Sequence, residues 1–408
     1  MTKLQSYKSP DFLLEHIKKT MSFYDPVCVD PDGGFFHHFR DDGSIYDKNT
    51  RHLVSSARFV YNYAMAAIEF DSSYYLKLVE HGLDYLNENH RNLPTGGYLW
   101  IVTEDDCLDD TNHAYGLAFV LLAHAVSLKA GISSSRQFIE QIWEHLETYF
   151  WEENYGLYKD ELSITLKPIS DYRGQNSNMH LCEAMLMCFE ATGENKYLLR
   201  ANTLAESMLS LSEQSGGFIW EHFNQDWTIN WNYNKDNPKH LFRPWGFQPG
   251  HQIEWAKLLL QLNRYIPSQK NIDVAISLFE RSLDIAWDND NSGVVYGFSP
   301  RLTVCDSDKY FWVQAEAIAT AALLAIETGE EKYWAWYQKI WEYVWEYFID
   351  HEHGAWYRIL DKTNKKYDDL KSPAGKTDYH TMGACYEVLR LLRAKETNLP
   401  IANCGERK

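Results

Sequence analysis

His251 and Glu254 lie three residues apart just after Pro249-Gly250, a spacing that puts both on one face at the start of a helix. Three chemistries compete for such a pair. A metal site needs more: one His and one Glu fall short of the HExxH pattern, and the spacing offers no third ligand. A structural hydrogen-bonded pair is the bland option. The third reading is an imidazole that moves protons beside a carboxylate that orients it and supports its protonated form. A side chain that titrates near neutrality suits reversible proton transfer. The pair closes the densest polar segment of the chain, residues 232–255, and a connection this long and irregular inside a compact repeat is usually functional. His180 and His380 occupy comparable positions elsewhere, which favours the proton-transfer reading.

Two kinds of helix must hold these residues. Stretches near 10–22, 73–90, 135–151, 195–212, 271–287 and 331–348 alternate apolar and charged residues at helical spacing. In the third, Phe138, Ile139, Ile142, Trp143 and Leu146 share one face, which describes an outer helix with one solvated side. The stretches 52–70, 111–129, 176–191, 250–264, 310–328 and 377–393 are more apolar and richer in small residues, as buried inner helices require. Their first two turns carry the polar load: His52 and Arg58; Asn112, His113 and Tyr115; Asn176, His180 and Glu183; His251 and Glu254; Trp312, Gln314 and Glu316; Asp378 and His380. If the inner helices run parallel, those turns line one pocket. Asn176 and Asp378 read as simple helix caps. Capping does not account for the five histidines.

The frame is repetitive. Six times a glycine beside aromatic residues separates two helical stretches, at Gly34, Gly97, Gly156, Gly217, Gly293 and Gly354, in steps of 63, 59, 61, 76 and 61 residues. The long step contains the segment 232–255. A period near sixty fits a helix pair joined through a hairpin. Six pairs suit a closed ring of twelve helices, since the polar end repeats of an open stack are missing. The expectation is an all-α fold, one domain across residues 1–408, with short β-hairpins and loops at the mouth.

Composition bounds the partners. The formal charge of −18 argues against nucleic acid or an anionic membrane, and no stretch approaches an uninterrupted apolar span. Seven cysteines without zinc spacing, and no signal-peptide pattern in the first 21 residues, lead to the expectation of a reduced cytoplasm. Of the 15 Trp and 27 Tyr, most fill helix–helix space, and a handful at the mouth would stack on a sugar.

Three segments carry a family resemblance: residues 172–180 (Tyr-Arg-Gly-Gln-Asn-Ser-Asn-Met-His), 233–238 (Tyr-Asn-Lys-Asp-Asn-Pro) and 249–255 (Pro-Gly-His-Gln-Ile-Glu-Trp). They resemble the N-acylglucosamine 2-epimerase superfamily, and within it the bacterial aldose–ketose isomerases acting on mannose and related sugars. The resemblance runs from Arg58 to His380 and implies an (α/α)6 barrel. It also implies that His251 and His380 are the acid–base pair with Glu254 as supporting carboxylate, and that Arg58 holds sugar oxygens. Asn176 and His180 resemble substrate contacts, and His113, Tyr115, Trp312 and Glu316 join them as candidate binding residues. The implied reaction is mannose–fructose isomerisation through an enediol, without metal or cofactor, on a free monosaccharide, with mannose 2-epimerisation as the alternative and a monomer or homodimer expected. The absence of a glycine-rich phosphate cradle favours an unphosphorylated sugar. An inverting glycosidase would draw on Asp109 or Asp110 with Glu221, Glu254 or Glu316. That reading leaves the histidines unexplained. A non-catalytic sugar-binding protein is the third possibility.

Overall fold

The computed structural model describes residues 6–240 and 242–397; Cys404 lies outside them. Among the described residues the α-helices number twelve: α1 (Pro10–Tyr24), α2 (Leu53–Phe70), α3 (Ser73–Tyr85), α4 (Ala114–Lys129), α5 (Ser135–His145), α6 (Gln175–Thr192), α7 (Asn195–Ser212), α8 (Pro249–Asn263), α9 (Gln269–Ala286), α10 (Phe311–Thr328), α11 (Glu331–Tyr347) and α12 (Tyr379–Thr397). The even-numbered helices pack in the cyclic order α2, α4, α6, α8, α10, α12 and back to α2. Helices α3, α5, α7, α9 and α11 each back the helix before them, and α1 backs α12, closing the ring. This is the expected (α/α)6 barrel. The expected helices 73–90 and 135–151 each finish in a π-helical turn, Leu86–His90 and Leu146–Phe150.

Burial follows the two sequence patterns. In α5, Ile139 and Ile142 are buried while Gln137, Gln141 and Glu144 face solvent. Phe138 and Trp143 are half-buried at the edges of that stripe. Inner helices are buried around most of their circumference, so they lack a solvated polar face like that of the outer helices. Helix α10 is long and apolar enough to cross a membrane by composition, yet 78% of it is buried inside the ring, and its apolarity is that of a core helix. The six described cysteines are unpaired.

Short strands tie the repeats together. Each inner helix is preceded by a lead-in that pairs with the hairpin following its own outer partner: Arg51–His52 with Ile101–Val102, Asn112–His113 with Glu161–Leu162, Arg173–Gly174 with His222–Phe223, and Lys309–Tyr310 with Ile359–Leu360. Phe247 bridges Phe298 in the same way. The last of these, Leu370–Ser372, pairs with His38–Arg40 after α1. The hairpin glycines earn their recurrence through backbone geometry: Gly34, Gly96, Gly156, Gly217, Gly293 and Gly354 all take positive φ. In the second repeat this falls on Gly96 rather than the expected Gly97. At Gly97 the reason is room, since a Cβ there would stand 2.6 Å from the Asn112 side chain.

Close packing between inner and outer helices yields a stability prediction. A Cβ on Gly82 of α3 would lie 2.5 Å from Phe35 and 2.6 Å from Val60, both buried. Gly82→Ala would gain about 1 kcal/mol in helix propensity. Overpacking should outweigh that gain, leaving the variant less stable by about 1–2 kcal/mol. Thermal melting should show a lower Tm; a raised Tm would mean that Phe35 moves aside freely.

Candidate active site

Because every inner helix enters the ring from the hairpin end, the first turns of all six meet there. Three histidines in this region each hold a carboxylate through Nδ1. His380, the second residue of α12, lies 2.7 Å from Glu316 Oε1 on α10. His251, in the first turn of α8, lies 2.8 Å from Glu221 Oε2, in the hairpin after α7. His180 of α6 lies 3.1 Å from Glu183 Oε2, one turn along the same helix. A carboxylate accepts, so each Nδ1 carries the proton and each Nε2 keeps its lone pair.

The residues around these pairs fix their orientation. Gln175 donates its amide to Glu221 at 2.8 Å and accepts the Trp255 indole N–H at 2.7 Å, which locks the Glu221 carboxylate. The Trp312 ring lies between His251 and His380, with centroid separations of 5.0 and 5.7 Å. Its approach to α8 depends on Gly250, where a Cβ would fall 2.5 Å from the indole. Arg58 reaches His380 Nε2 at 3.4 Å and the Tyr115 hydroxyl at 3.3 Å, and donates to the Gly375 carbonyl. Its guanidinium stacks on Phe119 and Tyr379. Tyr115 packs edge-on against His180. Of the residues singled out in the sequence, Arg58, Tyr115, His180, His251, Trp312, Glu316 and His380 therefore converge.

Beneath the histidines lies a cluster of charge that the sequence did not announce. The Lys257 ammonium sits 2.6 Å from Glu316 Oε2, 3.7 Å from Glu254 Oε1 and 3.9 Å from Glu183 Oε1. Glu254 corrects an expectation. It does not support His251, whose carboxylate is Glu221. Its oxygens have no hydrogen-bond partner among the described residues, and it lies 4.0 Å from His180 Nδ1. Three residues apart on a helix, His251 and Glu254 share a side, but Glu221 from the preceding hairpin fills the space beside the imidazole.

The electrostatics follow from burial. Desolvation, with Arg58 next in weight, holds His380 well below the usual histidine range. Desolvation likewise lowers His180 to about 4, so both are neutral bases at neutral pH. Burial and then the neighbouring Glu316 push Glu254 well above the usual carboxylate range. Burial raises Glu316 despite the opposing pull of Lys257. Burial also works upward on Glu183, but Lys257 and His180 outweigh it and leave that carboxyl low.

Two sets of side chains have metal-ligand spacing, His180 with Glu183 and Glu254, and Glu254 with Glu316 and His380. All three carboxylates already face the Lys257 ammonium, so a divalent ion among them would meet a like charge at close range. The donor set suits a lysine better than a metal. A glycosidase is no better served, because Glu221 and Glu316 are engaged by histidines, and Asp109 lies in a rim hairpin binding the Thr111 amide.

Other expectations need correction. His52 does cap its helix: its Nδ1 accepts from the Val54 amide at 3.2 Å. Asn176 caps nothing, since Gly174 occupies the N-cap position and Asn176 Oδ1 is buried without a protein partner. Asp378 stands directly before α12 and its carbonyl accepts the Met382 amide at 3.1 Å, but its carboxylate serves side chains, accepting from Tyr24 at 2.6 Å and from Lys376 and Thr381. His113 stands at the rim rather than among the three pairs, stacked near Trp100 and 3.5 Å from Glu161. Among the described residues, the segment 232–255 crosses that rim without helix or strand until α8 and is held at both sides, by Arg243 to Glu161 at 2.6 Å and Lys239 to Asp308 at 2.7 Å.

Comparison with known proteins gives a consistent picture. The family model described as N-acylglucosamine 2-epimerase (GlcNAc 2-epimerase) matches residues 34–384. The D-mannose isomerase of Marinomonas mediterranea is 52% identical over 389 residues, covering 95% of this chain and 98% of that protein. A crystal structure of D-mannose isomerase superimposes with a TM-score of 0.94 at 52% identity, over 95% of this chain and 100% of the other. A cellobiose 2-epimerase from Bacillus thermoamylovorans aligns with a TM-score of 0.82 over 93% of this chain and 99% of that one. At 19% identity it shows a common fold.

The raised Glu254 carboxyl predicts a pH-dependent stability change. A carboxyl protonated in the folded state and ionised in the unfolded chain makes folding take up a proton. Stability is then lost as pH rises from the unfolded value through the folded one. Glu254→Gln removes this loss, so the variant should melt above the parent at pH 8. The gap should shrink towards pH 4.5. A variant less stable than its parent at pH 8 would show that Glu254 is ionised in the fold.

Proposed function

We propose that this chain, which belongs to the N-acylglucosamine 2-epimerase family, is an aldose–ketose isomerase that interconverts D-mannose and D-fructose. The observation that carries the reading is 52% identity to a D-mannose isomerase along almost the whole length of both chains. The site supports it with two imidazoles flanking one aromatic platform, each oriented by its own carboxylate.

The chemistry follows from those placements. His380 Nε2 takes the proton from C2 of the open-chain aldose. The C2–H electron pair becomes the C1–C2 double bond, and the carbonyl pair moves onto O1. Arg58, beside His380 Nε2, stabilises the enediolate charge in a water-poor setting. Glu316 stabilises the imidazolium through Nδ1. Return of the same proton to C1 gives the ketose, once the O2 proton has left and O1 has gained one. His251, backed by Glu221, serves those oxygens and the opening of the sugar ring. No step calls on a metal, and Lys257 fills the place among the carboxylates where one would sit.

Purified protein given D-mannose in D2O with EDTA should form fructose, with deuterium at C1 reporting how far the histidine exchanges with solvent. Glucose deuterated at C2 as the main early product would mean a 2-epimerase instead. His380→Asn and His251→Asn should each lower kcat by roughly 10²–10⁴-fold with the fold retained by circular dichroism. Activity near the native value in either variant would remove that histidine from the mechanism.

A further inference from the structure

We propose that Lys257 is the positioning residue for both His180 and His380, and that the charge it supplies is reached from the far end of the barrel, independently of the sugar. The proposal rests on the isomerase reading of the same site.

The geometry is a shared hinge of charge. Glu316 gives one oxygen to His380 and the other to Lys257, at 2.7 and 2.6 Å. Glu183 gives one oxygen to His180 at 3.1 Å and turns the other towards Lys257 at 3.9 Å. One ammonium thus stands behind both histidine–carboxylate pairs, on the side away from the imidazoles. Glu254, 3.7 Å from the same ammonium, links the two pairs. Without that charge three carboxyls would share one buried space, and mutual repulsion would favour their protonated forms. A protonated Glu316 no longer orders the His380 tautomer or supports its imidazolium.

Access comes from behind. A cavity of about 760 Å³ is lined by Glu183, Lys257, Glu316 and His380 at one end and by Asp71 and Lys129, at the C-terminal ends of α2 and α4, at the other. The bore shows on the inner helices themselves, where α6 has half-buried positions at Glu183, Met187 and Glu190. Helix α12 does the same at Gly383, Glu387 and Arg390. That i, i+4, i+7 spacing draws one stripe per helix along the bore. The wall is open beside α12, since a Cβ on Gly383 would meet only the Tyr61 hydroxyl, at 3.8 Å.

The test uses this second entrance. Lys257→Ala deletes three methylenes and the ammonium, the equivalent of n-propylammonium. The variant should lose kcat for mannose by roughly a hundredfold with KM little changed, as misorientation of a reacting group does. Its carboxyls hold protons to higher pH, so the rising limb of the kcat profile should move upward. Added n-propylammonium should restore kcat saturably without altering KM for mannose, and 1-propanol should not. Lys257→Arg should keep most of the activity. Gly383→Met should abolish amine rescue in the Lys257→Ala background and leave the otherwise native enzyme active. If Lys257→Ala fails to fold, Lys257→Met supplies the same kcat and pH readouts with the volume filled. A native kcat profile in either variant overturns the proposal, as does a folded variant that neither the amine nor Lys257→Arg restores. Rescue that competes with mannose, or survives Gly383→Met, overturns the rear route. An unmodified enzyme that makes no fructose would instead sink the isomerase reading itself.

Discussion

Three carboxyl groups and one ammonium group, all buried except the half-buried Glu183, share the space under the histidines, and the rest of the site is arranged around that constraint. Removing charges from water is costly, and an unpaired buried ion costs about 3–5 kcal/mol when its partner is lost. The protein meets the cost unevenly. Glu316 and Glu183 each accept from a histidine on one oxygen and turn the other towards the Lys257 ammonium, at 2.6 and 3.9 Å. Glu254 receives no hydrogen bond among the described residues, and burial raises its carboxyl well above the usual range. Burial raises Glu254 and Glu316 while Lys257 and His180 hold Glu183 low, and desolvation keeps His180 and His380 neutral in a pocket that also holds Arg58.

The ring supplies the positions. Each lead-in strand is fixed to the hairpin beyond its own outer helix, so the start of every inner helix is pinned at the same end of the barrel. Helix N-termini carry roughly half a positive charge each. Their convergence favours an anionic intermediate and disfavours imidazolium at rest, the same two effects that an enediolate and a neutral base require. Fold and chemistry meet in the first two turns, and the remaining turns of the inner helices are free to be apolar.

Much of this was legible in the sequence. The repeat of glycine–aromatic hairpins and the contrast between one-faced and enclosed helices lead to the ring, because helical periodicity and burial are local properties. His180, His251 and His380 were legible because histidines are unusual at the starts of apolar helices. Their partners were less so. Glu221 reaches His251 from 30 residues away, across a hairpin, and pairing of that kind leaves no spacing to read. The i, i+3 spacing of His251 and Glu254 misleads for the same reason. Lys257 did leave a signal: a single cation between Trp255 and Leu262, one helical turn beyond Glu254, in a stretch otherwise apolar enough for the core. A lone lysine at such a position needs a carboxylate, and three were within reach.

Stability alone does not account for the cluster. Buried ion pairs can be replaced by apolar residues of similar volume with no loss of stability, and often a gain. The inner helices show that this chain builds such packing readily, with Ala315, Ala319 and Ala384 forming a small apolar group of their own. Polar residues concentrate where the helix starts converge, and a separate set of ion pairs, Arg264–Glu387 and Arg390–Glu190 among them, lies towards the opposite end. What the cluster provides, and an apolar core does not, is a fixed tautomer at each of two histidines and a counter-charge for the imidazolium that forms when one takes a proton. The carboxylates therefore act through the histidines they orient, and Lys257 acts through the carboxylates. Each tier is one hydrogen bond or ion pair further from the sugar.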